Sequence, residues 1–252
     1  MHMQHVGSAV NQYLVIVPTF NEAQSVQELL PQLLNLPIDI LIVDDGSPDG
    51  TAQICRELDQ GRGRINVLER SEKSGLGSAY LLGFAWGLGR GYRFLVEMDA
   101  DGSHQVSDLS LLIQRASQSP DVDLLIGSRW VSGGKVVNWS KGRELLSRFA
   151  NRYSKILLGG HVKDMTAGFR IYRADFLHRM NLATISSEGY CFQIEMTRRS
   201  TDVGGRILEL PIIFIERKFG ESKMSSTIVL EAMARVTWWG IQRPFRKVSA
   251  RS

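Results

Sequence analysis

Cysteine is nearly absent: Cys55 and Cys191 are the only two in 252 residues, far apart and in no CxxC or Cys/His spacing. That excludes a disulfide framework or a thiolate metal site as the organising device. Two isolated thiols read as reduced core residues of a cytosolic chain. A membrane-spanning stretch is also missing. The uncharged run Ser74–Gly89, closed by Lys73 and Arg90, falls short of the roughly 20 residues a span requires and contains five glycines. Within it, Gly83-Phe-Ala-Trp-Gly87 has the small-xxx-small spacing that in a chain without a span suits close packing of a helix on a sheet. No basic-then-apolar leader pattern opens the chain, so Met1–Gln12 is expected to be a loose lead. Internal repeats, low-complexity tracts and domain linkers are lacking too. One domain over 13–225 is expected, followed by a C-terminal helix and basic tail over 226–252.

What is present is ordinary in amount and uneven in placement. An apolar content of 43% with 22% charged residues excludes a disordered or collagen-like chain. Met1–Ser128 carries 8 Lys+Arg against 16 Asp+Glu, a net −8, whereas Arg129–Ser252 carries 22 against 10, a net +12. A functional reading has to account for both halves of that formal total of +4.

In the acidic half, short Val/Ile/Leu-rich runs alternate with helical patterns. The runs are Tyr13–Val17, Ile38–Val43, Ile65–Leu68, Phe94–Met98 and Leu124–Ile126. The helical stretches lie near Val26–Leu34, Thr51–Leu58, Ser78–Leu88 and Leu109–Ala116. Continuous apolar runs suit strands buried on both faces, and the βαβα alternation predicts a doubly wound, mostly parallel sheet of the α/β class. The basic half is less regular: a helix over Arg143–Leu158, a strand over Gly168–Tyr172, a helix after Phe192, a strand-like stretch Ile207–Glu216 and a last helix from about Ser226 to Gln242. Ligands of such sheets bind beyond the carboxyl ends of the strands. Three of those ends are acidic: Pro18-Thr-Phe-Asn-Glu22, Asp44-Asp-Gly-Ser-Pro-Asp-Gly50 and Asp99-Ala-Asp101-Gly-Ser-His104.

Carboxylates gathered at one sheet edge repel unless a cation lies between them. Asp99-x-Asp101 is the sharpest of the three, because hard oxygen ligands without His or Cys favour Mg²⁺ or Mn²⁺, with Ser103 as a further oxygen. His104 reads as a hydrogen-bonding loop residue. Asp44 and Asp45 suit either a base or ribose contact or Asx-turn chemistry. Ser74-Gly-Leu-Gly77 follows the third run and has Tyr80 where a dinucleotide fingerprint needs glycine, which argues against a dehydrogenase.

These strand ends resemble those of family 2 nucleotide-sugar glycosyltransferases of the GT-A, Rossmann-like fold. Asp164-Met-Thr-Ala-Gly-Phe-Arg170, Gly189-Tyr-Cys-Phe-Gln193 with Glu195, and Gly220-Glu-Ser-Lys-Met224 narrow the resemblance to dolichyl- and polyprenyl-phosphate mannose synthases, over about Tyr13 to Trp239. One departure is Gln105-Val106, where relatives commonly carry a proline. The resemblance implies transfer of mannose from GDP-mannose to a polyprenyl monophosphate with inversion, the alternative being a lipid-phosphate glucosyltransferase using UDP-glucose. It implies that Pro18, Phe20, Glu22, Val43 and Asp45 line the nucleotide pocket. Asp99, Ala100 and Asp101 would hold the sugar diphosphate through the metal, with Arg217 and Lys223 over the diphosphate. Arg129, Arg143 and Ser147 would surround the acceptor phosphate, and Asp101 and Arg129 would be the catalytic pair. Independently of the resemblance, Arg143 and Ser147 are i,i+4 near a helix start, where guanidinium and amide groups favour an anion.

The lipid must then be met at a membrane surface. Ile228, Val229, Met233, Val236 and Trp239 fall at helical spacing and are followed by Arg243, Arg246, Lys247 and Arg251. This suits either a helix lying on an anionic surface on the cytoplasmic side, alone or with a separate anchoring protein, or an ordinary helix packed on the sheet. No Gln-x-x-Arg-Trp signature of a processive synthase occurs. The basic half carries no aromatic-interleaved nucleic-acid motif, so no nucleic-acid partner is expected.

Overall fold

The computed structural model describes residues 11–72, 75–187, 189–217 and 226–249. Strand and helix alternate as expected through β1 (Tyr13–Thr19), α1 (Ala23–Leu33), β2 (Asp39–Asp44), α2 (Thr51–Asp59), β3 (Ile65–Glu69), α3 (Leu76–Leu88), β4 (Phe94–Glu97), α4 (Val106–Gln118) and β5 (Leu124–Ser128). There follow β6 (Lys135–Val137), α5 (Lys141–Leu158), β7 (Arg170–Arg173), α6 (Ala174–Arg179), α7 (Gly189–Asp202), β8 (Ile207–Pro211), β9 (Ile213–Ile215) and α8 (Ser226–Ser249).

Seven strands form one sheet in the order β3-β2-β1-β4-β7-β5-β8, and β6 pairs with β9 in a small second sheet. Every neighbouring pair in the large sheet is parallel except those of β7, which runs antiparallel to both β4 and β5. Alternate strand residues feed two cores. Leu14, Ile16, Leu41, Val43 and Leu95 pack against Tyr80 and Phe84 of α3, Phe192 of α7 and Val236 of α8. Val15, Val17, Ile40, Ile42 and Val96 pack against Leu29, Leu30 and Leu33 of α1, Cys55 of α2 and Leu109 and Leu112 of α4. With both faces covered, successive residues within the strands are apolar and the charged ones fall at strand ends, which is why they read as runs and not as alternations.

Gly83 and Gly87 do bring a helix onto the sheet. A methyl added at Gly83 would lie 2.5 Å from Ile16 Cγ2, and one at Gly87 would lie 2.8 Å from Leu14 Cδ2 and closer still to Leu95 Cδ2. Two differences from the sequence reading have local causes. The stretch Ile207–Glu216 is broken at Ile212, whose N–H still donates to the Ser128 carbonyl of β5 while its own carbonyl accepts from Lys135 of β6, so that β8 stays in the large sheet and β9 leaves it. β6 and α6, three and six residues long, are too short to produce a periodic signal.

The chain lays down β1, β2 and β3 outward in one direction and then returns to place β4 on the other side of β1. The reversal between β1 and β4 opens a crevice at their carboxyl ends, the general ligand position of such sheets.

Candidate active site at the strand ends

That crevice is a cleft of about 530 Å³. Pro18, Phe20 and Glu22 beyond β1, Asp45 beyond β2, and Asp99, Ala100 and Asp101 beyond β4 line it on one side. Arg129, Trp139, Arg143, Thr166, Gly168, Gln193 and Arg217 line the rest, with Arg217 and Gly168 next to the aspartate turn. The acidic and basic halves of the chain therefore meet across one opening.

The β2 loop separates its two aspartates by role. Asp44 is fully buried and accepts from Thr19 Oγ1 at 2.8 Å, Ser47 N–H at 2.8 Å and Ser47 Oγ at 2.6 Å, so it serves as the Asx-turn residue that shapes the loop. Asp45 faces the cleft and is held by the Arg70 guanidinium, which also donates to Ser78 Oγ and the Gly75 carbonyl.

The Asp99–Asp101 turn is fixed from below. Asp99 N–H donates to His104 Nδ1 at 3.1 Å, and the buried His104 ring stacks on Phe169 at 4.6 Å and meets Phe214 edge-on at 5.4 Å. Burial pushes the His104 pKa down to about 4, so the ring is neutral with its proton on Nε2. Asp101 Oδ1 accepts from Ser103 N–H at 3.0 Å, while Arg217 approaches Oδ2 at 3.3 Å. Tyr80 Oη donates to Asp99 Oδ1 at 3.3 Å. Burial, reinforced by the neighbouring Asp101 charge, raises the Asp99 pKa to about 7. Gln105 closes the turn by donating to the Gly102 carbonyl at 3.0 Å.

The donor set fits a hard divalent cation. Two carboxylates share the cleft, Asp99 being raised by burial and then by the Asp101 charge, and the buried Ser103 hydroxyl has no hydrogen-bond partner among the described residues. Only oxygen atoms are offered, which favours Mg²⁺ or Mn²⁺ over softer metals.

On the opposite wall, Arg129 is buried in a clamp. Its backbone N–H and Nε both donate to Asp164 Oδ2, at 2.9 and 2.8 Å, and Nη2 donates to Asp164 Oδ1 at 2.6 Å and Thr166 Oγ1 at 2.8 Å. Arg143, in the first turn of α5, stacks on Trp139 at 4.2 Å and pairs with Glu216 at 2.5 Å. Its own N–H is capped by Ser140 Oγ. From this wall an apolar groove runs between α5 and α8, lined by Leu146, Phe149, Tyr153, Ile194, Met233 and Val236. Arg129, Trp139, Arg143 and Thr166 border both the groove and the cleft.

Residues 14–180 match glycosyl transferase family 2. The chain belongs to that family. It is 47% identical over 232 residues to the polyprenol monophosphomannose synthase of Mycolicibacterium smegmatis, covering 91% of this chain and 87% of the relative. It is 47% identical over 240 residues to the undecaprenyl-phosphate mannosyltransferase of Micrococcus luteus, covering 94% and 98%. Among solved structures, glucosyl-3-phosphoglycerate synthase from Mycobacterium tuberculosis in complex with UDP superposes with a TM-score of 0.64 at 17% identity, over 92% of this chain and 79% of that one. A mannosyltransferase from Pyrobaculum calidifontis in complex with GDP-Man and Mn²⁺ gives 0.57 at 17% identity, over 95% and 65%. Both likenesses concern the fold, which is that of GT-A glycosyltransferases.

Of the residues expected at a family 2 site, most converge. Pro18, Phe20, Glu22, Asp45, Asp99, Ala100, Asp101, Arg129, Arg143 and Arg217 line the cleft, and Ser147 lines the adjoining groove. Ser103 is buried beneath the aspartate turn. Val43 is placed otherwise: its side chain is fully buried in the core of β2 and does not reach the opening. Lys223 lies outside the described residues. Sequence reasoning missed Asp164, Thr166 and Gln193 as residues that line or brace the cleft, while His104 is the hydrogen-bonding loop residue it was read as. Two of these stand in the stretch Asp164–Arg170 that carried the resemblance, but nothing in their spacing ties them to Arg129.

Of the two placements open for the C-terminal helix, the described part of its stripe takes the packed one. Val236 is buried in the core, Trp239 packs partly against it and Met233 lines the groove, so the inner part of the anticipated stripe faces the protein. The side chains of Ile228 and Val229 lie outside those described, as do Arg243, Arg246, Lys247 and Arg251. The apolar side chains left outward are Leu230, Trp238 and Ile241, together with Leu145, Phe149 and Ile156 of α5. Among the described residues no helix is long and apolar enough to cross a membrane.

Proposed function

We propose that this family 2 glycosyltransferase moves mannose from GDP-mannose to a polyprenyl monophosphate with inversion, giving a β-mannosyl phosphate lipid. The observation that carries the reading is the apolar groove that opens into the cleft beside two guanidinium groups. An acceptor with an anionic head and an isoprenoid tail matches that pairing, whereas a hydrophilic hydroxyl acceptor leaves the groove unused. The relatives from M. smegmatis and M. luteus, named for polyprenol monophosphomannose synthesis and undecaprenyl-phosphate mannosyl transfer, support the same acceptor.

In this reading Asp99, Asp101 and Ser103 hold Mg²⁺ or Mn²⁺, which supplies Lewis-acid stabilisation of the diphosphate leaving group. Arg217, beside Asp101, adds positive charge on the same side. Asp45, Glu22 and Phe20 form the far wall for the nucleoside. A phosphate monoester, with a second pKa near 6, is mostly dianionic at neutral pH and needs no general base. The protein's task is to bring two anions together: Arg129, oriented by Asp164, and Arg143, braced on Trp139, screen and aim the attacking oxygen. The outward apolar side chains of α5 and α8 border the groove's helices, so peripheral contact with the membrane through both helices would let the acceptor enter from the bilayer.

A radiolabelled transfer assay tests this directly, with GDP-mannose or UDP-glucose, a polyprenyl phosphate, and divalent metal or chelator. Chloroform-soluble label should form from GDP-mannose with metal only. Preferential labelling from UDP-glucose would overturn the donor assignment, and undiminished turnover in chelator would overturn the metal.

A further inference from the structure

The apolar groove that leaves the cleft is pinched shut at its far end. Its α5 wall is a stripe at helical spacing from Arg143 through Leu146 and Ala150 to Tyr153, and Met233 and Val236 of α8 face it. Past these residues the two helices close on each other. Tyr153 Oη and Thr237 Oγ1 share a hydrogen bond at 2.6 Å. One turn on, a methyl added at Gly240 would lie 3.1 Å from Leu157 Cβ, so only glycine lets α8 sit this close to α5. Both contact pairs advance together along the two helices. Arg143 near the start of α5 and Ala232 in the first half of α8 both border the cleft. The helices therefore run alongside in one direction, apart at the cleft and joined at Leu157 and Gly240.

A wedge of this kind has a measurable depth. Tyr153 stands ten positions beyond Arg143, about 15 Å of helix at 1.5 Å per residue. An extended isoprene unit, with four carbon–carbon bonds along the chain, spans about 5 Å. About three units therefore fit between a phosphate held at Arg143 and the pinch. The occupant is set by the change of chemistry along the groove: Arg129 and Arg143 stand at its mouth, and the walls beyond are mainly apolar. A nucleotide or sugar placed there would bury polar groups without partners, whereas a prenyl phosphate meets both ends. The side of the wedge is open, because Leu146 and Phe149 line it and are also exposed, next to the outward Leu145. A longer chain can leave over these side chains toward the membrane.

We propose that this groove sets the part of the acceptor the enzyme recognises: the phosphate and about the first three isoprene units. The remainder of the lipid stays in the bilayer and makes no specific contact with the protein. This rests on the polyprenyl-phosphate reading above and extends it to chain length. Acceptors that differ in total length, or in saturation beyond the third unit, are then equivalent to the protein.

Calorimetric titration tests this without vesicles or detergent, on the enzyme alone and loaded with Mn²⁺ and GDP or UDP. The ligands are prenyl phosphates of one to five isoprene units, kept below the concentrations at which they aggregate, with farnesol and inorganic phosphate as controls. Affinity should rise about tenfold or more per unit through the third and less than about threefold for each unit after it. Farnesol should bind at least about tenfold more weakly than farnesyl phosphate. Ala150→Phe sets a ring seven positions beyond Arg143, about 10 Å into the wedge. It should move the break from the third unit to the second, with thermal unfolding as the check that the variant folds. An even rise through all five units, as adsorption on the exposed apolar side chains would give, overturns the proposal. So does affinity that stops rising after the first unit, or an unchanged break in folded Ala150→Phe. The wild-type series decides the matter even where that variant does not fold. A wild type that binds no prenyl phosphate in any state overturns the acceptor reading itself.

Discussion

Replacing Asp164 by asparagine changes almost no volume and removes one charge, and the structure makes its cost large. The Arg129 side chain is 5% exposed and that of Asp164 is fully buried. Asp164 accepts the Arg129 backbone N–H, Nε and Nη2, so each oxygen receives at least one bond from the same arginine. An asparagine in that place keeps one acceptor oxygen and turns an NH₂ group toward Arg129 donors. Breaking a buried ion pair from one side leaves the other charge desolvated, at about 3–5 kcal/mol. For a chain of this length that corresponds to a melting temperature lower by roughly 10 °C. Urea unfolding followed by circular dichroism measures it, and a double-mutant cycle isolates the pair. Arg129→Met should be costly in the wild-type background and much cheaper beside Asp164→Asn, with a coupling of about 2 kcal/mol. Additivity of the two substitutions within about 0.5 kcal/mol would refute the clamp. Transfer kinetics provide the functional half: in Asp164→Asn the loss should fall on the acceptor KM before the donor KM, because the guanidinium is present but no longer aimed.

Other perturbations follow from single contacts. Gly87→Ala should destabilise by about 1–3 kcal/mol through overpacking on Leu14 and Leu95, while Gly142→Ala in α5, where nothing lies within 4 Å, should be neutral or stabilising by a few tenths; equal urea midpoints would contradict the close packing. Asp99, raised from 3.8 to about 7, holds a proton in the folded state that the unfolded chain has already released, so its contribution to stability is present at low pH and is lost as pH rises from about 4 to 7. A cation must displace that proton, so Mg²⁺ or Mn²⁺ affinity should climb up to about tenfold per pH unit below 7 and level off above it; titration showing a flat profile would refute this. Trp238→Ser combined with Leu145→Ser should reduce flotation with anionic vesicles, where Trp239→Ser chiefly lowers stability because that ring packs partly against the core.

The fold was legible in proportion to burial. Each strand of the acidic half could be found because helices cover both faces of the sheet, which forces runs such as Ile38–Val43, and each aspartate-bearing turn could be found because its residues are consecutive. The strand order was not legible, because the antiparallel insertion of β7 between β4 and β5 depends on which edges meet and leaves no mark on β7 itself. The same limit hid the clamp: Arg129 and Asp164 are 35 positions apart, and neither segment is periodic. In α8 two apolar stripes compete, and amphipathicity alone could not tell which of them α5 covers. The Tyr153–Thr237 hydrogen bond at 2.6 Å and the seat of Gly240 against Leu157 show how α5 fixes that choice.

The uneven charge of the chain takes on a narrower meaning at the cleft. Much of the acidic excess serves structure: Asp44 shapes its turn, Asp59 accepts the N–H groups of Gly63, Arg64 and Ile65, and Asp39 accepts from Asn11 and Tyr92. Much of the basic excess is likewise consumed, with Arg170 buried on backbone carbonyls and Arg173, Arg179 and Arg206 paired at the surface. Among the described residues lining the cleft, Glu22, Asp45, Asp99, Asp101 and Glu231 face Arg129, Arg143 and Arg217. The two sets are also segregated: the paired aspartates sit at the β4 end, and Arg129 and Arg143 at the mouth of the apolar groove. In the proposed reaction a cation would therefore convert the acidic side into a seat for a diphosphate without cancelling the arginines that an incoming phosphate would need, and the two anions would be held in one cleft by different charges.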